Sequence, residues 1–387
     1  MRATAPTGRE TGGCSPSFSG ILFTPRCLER SNVRYRTDGG EPRVYVDCSE
    51  IEQETAIKTT TSAALHCERQ GWTPAVLLSR ADKEDFGRRP LVATHNLHQS
   101  DLFTDAALID LLDHFPRQNL HALTMGTDPT RPEQNQLALN LGVSGADLLR
   151  AVKNGRLWLN ITRIDRADQR FRALIDQLYA QLASQVAGFA PDFSQGTLLI
   201  SSPNALVYYH ADGPASVLWH VRGRKRVWVY PALDRRYVER EALEDIFAGA
   251  RHEYLPFETA FDTGAIAYDL EPGQWTAWAQ NAPHRVTNLD SLNVSLSTEH
   301  FTRQGRARAR VYSANRFFRT RFGLSGLSTR EQGPAALMKT VAYRLARKAG
   351  LDRSELKHHI ATMQVDPDAP GGVIALARPD LASKALV

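Results

Sequence analysis

The stretch Tyr208–Pro231, YYHADGPASVLWHVRGRKRVWVYP, decides how the rest of the chain is read. It sets His210 and Asp212 two residues apart on a run rich in aromatic and β-branched residues. Residues i and i+2 of a strand face the same side, so both side chains are expected to reach one point. An apolar run then leads to Gly223, whose tolerance of positive φ suits a hairpin turn, and a second run opens at Lys225. A second stretch, Glu271–Phe301, EPGQWTAWAQNAPHRVTNLDSLNVSLSTEHF, supplies His284. Pro272-Gly273 reads there as a turn into a strand, and Ala282-Pro283 as the approach to the histidine. Two imidazoles and one carboxylate form the donor set that holds iron(II) on one side and leaves coordination positions open.

The rest of the pattern follows from charge. Two neutral imidazoles and one carboxylate leave a divalent ion with net positive charge, which favours an anionic cosubstrate. If that cosubstrate is a diacid, its far carboxylate needs a buried counter-charge, because a lone buried anion is costly. Lys225 on the neighbouring strand supplies one as a compact point charge. Trp219, Trp228 and Tyr230 are expected to wall the barrel. A single His-x-Asp arises easily by chance, and an isolated histidine is more often structural than a ligand. His220, His252 and His300 are therefore read as hydrogen-bonded or surface residues. The combination of His-x-Asp, strand–Gly–strand, the lysine and the distal histidine carries the reading.

These two stretches resemble the JmjC, or cupin-like, family of iron(II)- and 2-oxoglutarate-dependent oxygenases, nearest in architecture to the asparaginyl hydroxylase that acts on hypoxia-inducible factor. The resemblance covers about residues 155–302. It implies a mainly β fold with helical additions: a double-stranded β-helix of the jelly-roll or cupin type, with an N-terminal helical cover and C-terminal helices. It also implies that His210, Asp212 and His284 hold iron(II). Lys225, fifteen residues after the first metal histidine, would anchor 2-oxoglutarate. The chain departs from the family where a threonine and an asparagine often contact the cosubstrate; here these positions are Val207 and Ser216. RLWLNIT (Arg156–Thr162) resembles the strand whose aromatic residue helps hold 2-oxoglutarate, which assigns Trp158 and, on the same face, Asn160 to cosubstrate binding along with Ser216. No catalytic residue is expected beyond the metal ligands. The implied activity is hydroxylation of a protein side chain or small molecule, or demethylation by the same chemistry. Two alternatives stay open: a cupin-type metalloenzyme that does not use 2-oxoglutarate, and a non-catalytic barrel acting as a binding or regulatory module.

Composition is compatible with this. The chain has 387 residues, 42% hydrophobic and 23% charged, ordinary for a globular protein. It has no apolar run of about eighteen residues, so no membrane-spanning helix is expected, and no secretory h-region. The four cysteines, Cys14, Cys27, Cys48 and Cys67, have no metal-binding spacing. They are read as free thiols in a reducing, cytoplasmic setting.

Three regions are expected. Residues 1–85, rich in Thr, Ser, Gly and Arg, read as a weakly structured extension. Residues 86–302 read as the oxygenase domain, with the barrel core at about 195–302. Residues 303–387 read as a basic, partly helical region whose last 25 residues are loose. Within the second region, amphipathic spacing predicts helices at Asp105–Phe115, after the capping residue Ser144, and over Ala167–Val186; Ala335–Lys348 is predicted helical in the third. Phe301–Ile360 holds fourteen Lys and Arg against three acids, a net +11 in a chain of net +5. Its run RQGRARARVYSANRFFRTRF suggests a nucleic-acid or acidic-protein surface over residues 303–357. The other readings are a solvated helical face or, as the resemblance implies, a homodimer through the C-terminal helices.

Overall fold

The computed structural model describes residues 72–352 and 361–377, together with the backbone of one antiparallel pair, Val33–Asp38 with Glu41–Val46. The chain divides into two units, Met1–Ala64 and Leu65–Val387. All four cysteines lie outside the described residues, as does most of the expected N-terminal extension.

Within the second unit, three helices of ten or more residues precede the barrel strands: α1 (Asp105–His114), α2 (Gly145–Asn154) and α3 (Gln169–Gln185). They begin where a side chain can satisfy the orphan amides of the first turn. Thr104 caps Ala107 N, Ser144 caps Asp147 N and Asp168 caps Arg170 N. Eight strands follow: β1 (Phe193–Ser201), β2 (Leu206–His210), β3 (Ala215–Arg222), β4 (Lys225–Val229), β5 (Ile266–Leu270), β6 (Gln274–Ala277), β7 (His284–Asn288) and β8 (Asn293–Phe301). Between β4 and β5 lies helix α4 (Arg240–Phe247), and after β8 come α5 (Arg303–Phe322) and α6 (Pro334–Lys348).

These strands divide between two sheets. β5-β4-β7-β2 make a four-stranded sheet, and β1-β8-β3-β6 are the middle of an eleven-stranded one. Apart from the step from β4 to β5, each strand passes to the sheet opposite its predecessor. Beyond β1 the larger sheet continues through Leu157–Ile161, Leu120–Thr124, Gln136–Leu139, Met363–Val365 and Val373–Ala375; beyond β6 it continues through Leu91–His95 and Val76–Leu77. The two C-terminal strands correct the expectation of a loose tail. Val365, Val373 and Ile374 are β-branched, and Met363–Val365 pairs in parallel with Gln136–Leu139, a partner far away in sequence.

The larger sheet is covered on both faces, which is why β3 reads as a continuous apolar run rather than an alternating one. One face packs on α1, α2 and α3: Val217, Trp219, Val294 and Leu296 join Leu108, Leu148, Phe171 and Leu178 in one core. The other face looks toward the small sheet, where Leu218, Val227, Val229, Leu270, Trp278 and Val286 form a second cluster. Period-two alternation therefore sends Leu218 and Val227 inward and Trp219 and Trp228 outward. Trp219, Trp228 and Tyr230 lie on the outer faces of the two sheets and do not line the space between them, against the expectation that they wall it. Gly223 makes the β3–β4 turn at φ 81°, and a Cβ there would stand 2.3 Å from the Leu292 carbonyl oxygen.

Candidate metal centre

His210 closes β2 and His284 opens β7, and the register of this antiparallel pair sets the two directly opposite each other. Their rings lie 4.0 Å apart between centroids. Asp212 lies just past the end of β2, in the turn to β3 rather than within the strand. The ligand-capable atoms of His210, Asp212 and His284 all fall within 4.8 Å of one another. His210 Nε2 is 3.4 Å from Asp212 Oδ1, and His284 Nε2 is 3.7 Å from Asp212 Oδ2.

The groups around these residues aim them. His210 Nδ1 is 2.8 Å from the Tyr208 carbonyl, and His284 Nδ1 is 3.1 Å from the Ala282 carbonyl. A carbonyl can only accept, so each Nδ1 carries a proton and each Nε2 faces the centre. Burial lowers His210, but Asp212 and Glu253 outweigh it and raise it, so this ring gives up a proton on becoming a ligand. The turn holding Asp212 is clamped from two directions. Asn281 Nδ2 donates to the Asp212 carbonyl at 2.8 Å, while the Glu253 carbonyl accepts from Ala211 N and the Glu253 side chain from Gly213 N. Asn281 adopts φ 65° to do this, a left-handed conformation that asparagine tolerates. Ser216 Oγ donates to Asp212 Oδ2 at 2.5 Å. Burial pushes the Asp212 carboxyl up, but the two histidines and Ser216 outweigh it and keep it ionised. Burial and the neighbouring His210 lower His284 to about 4, so its ring is neutral. Nitrogen and oxygen donors of this kind, pre-aimed and already bonded on their far sides, fit a divalent transition metal.

The triad opens into a cavity of about 420 Å³, and all seven residues singled out from sequence line it: His210, Asp212, His284, Lys225, Ser216, Trp158 and Asn160. Lys225, on β4 opposite Asn288 of β7, is 4% exposed. Its ammonium has no hydrogen-bond or ion-pair partner among the described residues, and burial brings it down to about 7. Asn160 Oδ1 is likewise buried without a donor. A buried unpaired cation and an orphaned acceptor are what a missing polar ligand leaves behind. The fit to 2-oxoglutarate rests on Lys225, since the oxoacid has no donor to offer Asn160 Oδ1. Ser216 adds little to it, because its one proton is committed to Asp212.

Two lining carboxylates escaped the sequence reading. Glu299 of β8 is the cross-strand neighbour of Ser216 and accepts from Gln195 Nε2 at 2.6 Å; burial and the nearby Asp212 raise it to about 7. Glu253, in the segment between α4 and β5, also lines the cavity and is exposed, which puts it at the mouth. Among the histidines set aside, His220 bonds Ser295 Oγ and the Gly223 carbonyl, and His300 bonds Tyr179.

The basic run after Phe301 is helix α5, and much of its charge is answered within the chain. Arg306 pairs with Asp192, Arg308 with Glu331, Arg316 with Asp245 and Asp352, and Arg319 with Glu244 and Asp245. Arg303, Arg310 and Arg321 are exposed. No helix of the described residues is long and apolar enough to cross a membrane.

No protein-family model and no curated protein sequence matches the chain. Among solved structures it is similar to YcfD of Escherichia coli, at 15% identity over 73% of this chain and 70% of that one, with a TM-score of 0.43. It is also similar to YcfD described as a ribosomal oxygenase in complex with cobalt and 2-oxoglutarate, at 14% identity over 76% and 75% of the two chains and a TM-score of 0.40. These likenesses are too remote to carry chemistry from one protein to the other.

Proposed function

We propose that this chain is an iron(II)- and 2-oxoglutarate-dependent oxygenase of the JmjC type, built on a double-stranded β-helix. The observation that carries the reading is the placing of His210, Asp212 and His284 in the same cavity as the unpartnered Lys225. The passage of successive strands between two facing sheets supports the fold name. Iron(II) with 2-oxoglutarate supplies activation of dioxygen, coupled to decarboxylation of the oxoacid to succinate and carbon dioxide, for oxidation of a substrate C–H bond.

The chain's own residues prepare for this. His210 Nε2, His284 Nε2 and one oxygen of Asp212 would hold the ion. Lys225 takes the far carboxylate of the oxoacid, becoming a paired charge instead of a lone one. The Asn160 amide and the Trp158 ring border the cosubstrate. Leu199, Val207, Leu218 and Val286 line the cavity and exclude water from it. Glu253 at the mouth meets the substrate, a protein side chain or a small molecule, which is hydroxylated or demethylated.

One observation favours a metalloenzyme that does not use 2-oxoglutarate: Val207 offers no hydroxyl and that of Ser216 is committed to Asp212. Anaerobic titration of the metal-free protein with iron(II) and then 2-oxoglutarate separates the readings. A visible charge-transfer band, abolished in Asp212→Ala and weakened in Lys225→Ala, is expected. Iron binding without a band favours the alternative, and no iron binding ends both.

Pairing of two copies through the C-terminal helices is proposed as well. Helix α6 buries Ala336, Tyr343 and Ala346 and exposes Leu337, Met338, Val341 and Leu345 on the opposite side. Sedimentation equilibrium is expected to give a dimer for the wild type and a monomer for Val341→Asp.

A further inference from the structure

We infer that Ser216 is a positioning residue that holds Asp212 as a one-oxygen ligand. This rests on the metal-site reading above and adds to it a role for a side chain the ion does not touch.

A carboxylate beside a divalent ion can offer one oxygen or two. The choice matters in a site with two histidines. With one oxygen the protein fills three positions of an octahedron, and three stay open for a bidentate oxoacid and one further ligand. With two oxygens it fills four, and the oxoacid then takes all that remain. What settles the choice is whether the second oxygen is occupied elsewhere.

Here it is occupied. Ser216 Oγ donates to Asp212 Oδ2 at 2.5 Å, the short length of a hydroxyl bound to a charged acceptor. Ser216 sits near the start of β3, 3% exposed, so water cannot readily replace it. Its strand is anchored on both sides, to β8 and to β6. Asp212 itself cannot swing away, because its backbone carbonyl is held by Asn281 and the next amide by Glu253. The hydroxyl therefore lowers the basicity of Oδ2 from a fixed point and leaves Oδ1 as the better donor. Glu299, the cross-strand partner of Ser216, accepts from Gln195. A row of polar side chains, Gln195–Glu299–Ser216, thus crosses the cavity floor and ends at the ligand.

Cobalt(II) is the probe, because its visible spectrum reports coordination number. Wild type, Ser216→Ala and Ser216→Thr are loaded with one equivalent and titrated with 2-oxoglutarate. Ser216→Ala is expected to hold cobalt roughly 10- to 100-fold more weakly, the usual effect of losing a ligand's hydrogen-bonding partner. Its 2-oxoglutarate complex is expected to show a changed cobalt spectrum, with six ligands where wild type has five. Ser216→Thr, which keeps the hydroxyl, is expected to follow wild type. Should Ser216→Ala fail to fold, Ser216→Gly takes its place, which likewise removes the hydroxyl and adds no new ligand. An alanine or glycine variant matching wild type in both spectrum and affinity overturns the inference, as does a threonine variant that behaves like alanine. Wild type that takes up no cobalt overturns the metal-site reading itself, a separate and recognisable result.

Discussion

Replacing Lys225 by methionine should make the cosubstrate-free protein more stable. The ammonium is buried without a partner, and its folded value of about 7 stands against an ordinary 10.5. The unfolded chain therefore holds a proton that the folded chain gives up across that interval. Stability of the wild type rises with pH between the two values, because the unfolded state binds more protons there. Integrating from high pH down, the buried charge costs about 4 kcal/mol at pH 7 and about 2 kcal/mol at pH 9. Methionine keeps the length of the side chain, removes the charge and adapts to the space. Urea unfolding of metal-free Lys225→Met is expected to show a gain of about that size at pH 7, shrinking as the pH rises. Added 2-oxoglutarate with metal should stabilise the wild type and not the variant. A variant equal to or weaker than wild type at pH 7, or a gain indifferent to pH, would refute the view of Lys225 as an unpaired buried cation.

Other outcomes follow from neighbouring groups. Glu299 is raised to about 7, so the folded state favours its neutral form, and its contribution to stability is lost as pH climbs through the interval from about 4.5 to 7. Glu299→Gln should remove a fall of about 3 kcal/mol across that interval in metal-free protein, read by thermal melts at several pH values. Arg285, on the outer side of the small sheet, pairs with Asp262 at 2.6 Å, donates to Tyr230 and lies 3.5 Å from the centre of the Trp228 ring. Arg285→Leu should cost about 3 kcal/mol in chemical unfolding, less than a fully buried pair because Asp262 is partly exposed. Gly223→Ala should destabilise by about 2 kcal/mol or more, since the residue combines positive φ with a carbonyl in the way; an unchanged midpoint would refute this.

The parts of the site that sequence made legible are those encoded locally or by residue type. His210 and Asp212 sit two apart, Gly223 marks the turn, and Lys225 follows at a fixed offset. The helices at Asp105, after Ser144 and through Ala167–Val186 announce themselves by spacing and caps. Glu299 was not legible, because what makes it a cavity residue is its pairing with Ser216 across β3 and β8, a register no nearby pattern records. The arginines of α5 left several readings open for a related reason: a run of cations looks like an outward-facing charge until Asp192, Glu244, Asp245 and Glu331 arrive from elsewhere in the fold. The C-terminal strands were too short to outweigh the polar and glycine residues around them.

The double clamp on the Asp212 turn has a thermodynamic consequence. In small metal-dependent domains the ion and the fold are one equilibrium, and stripping the ion unfolds the chain. Here Asn281, Glu253 and two backbone carbonyls hold the donors where they stand by contacts that no ion supplies. A bound ion would still add stability by mass action, but its loss would not unfold the chain, and the centre would behave as a rigid chelator. Its occupancy would follow ambient metal supply, and competing divalent ions would exchange through it while the two sheets stay intact.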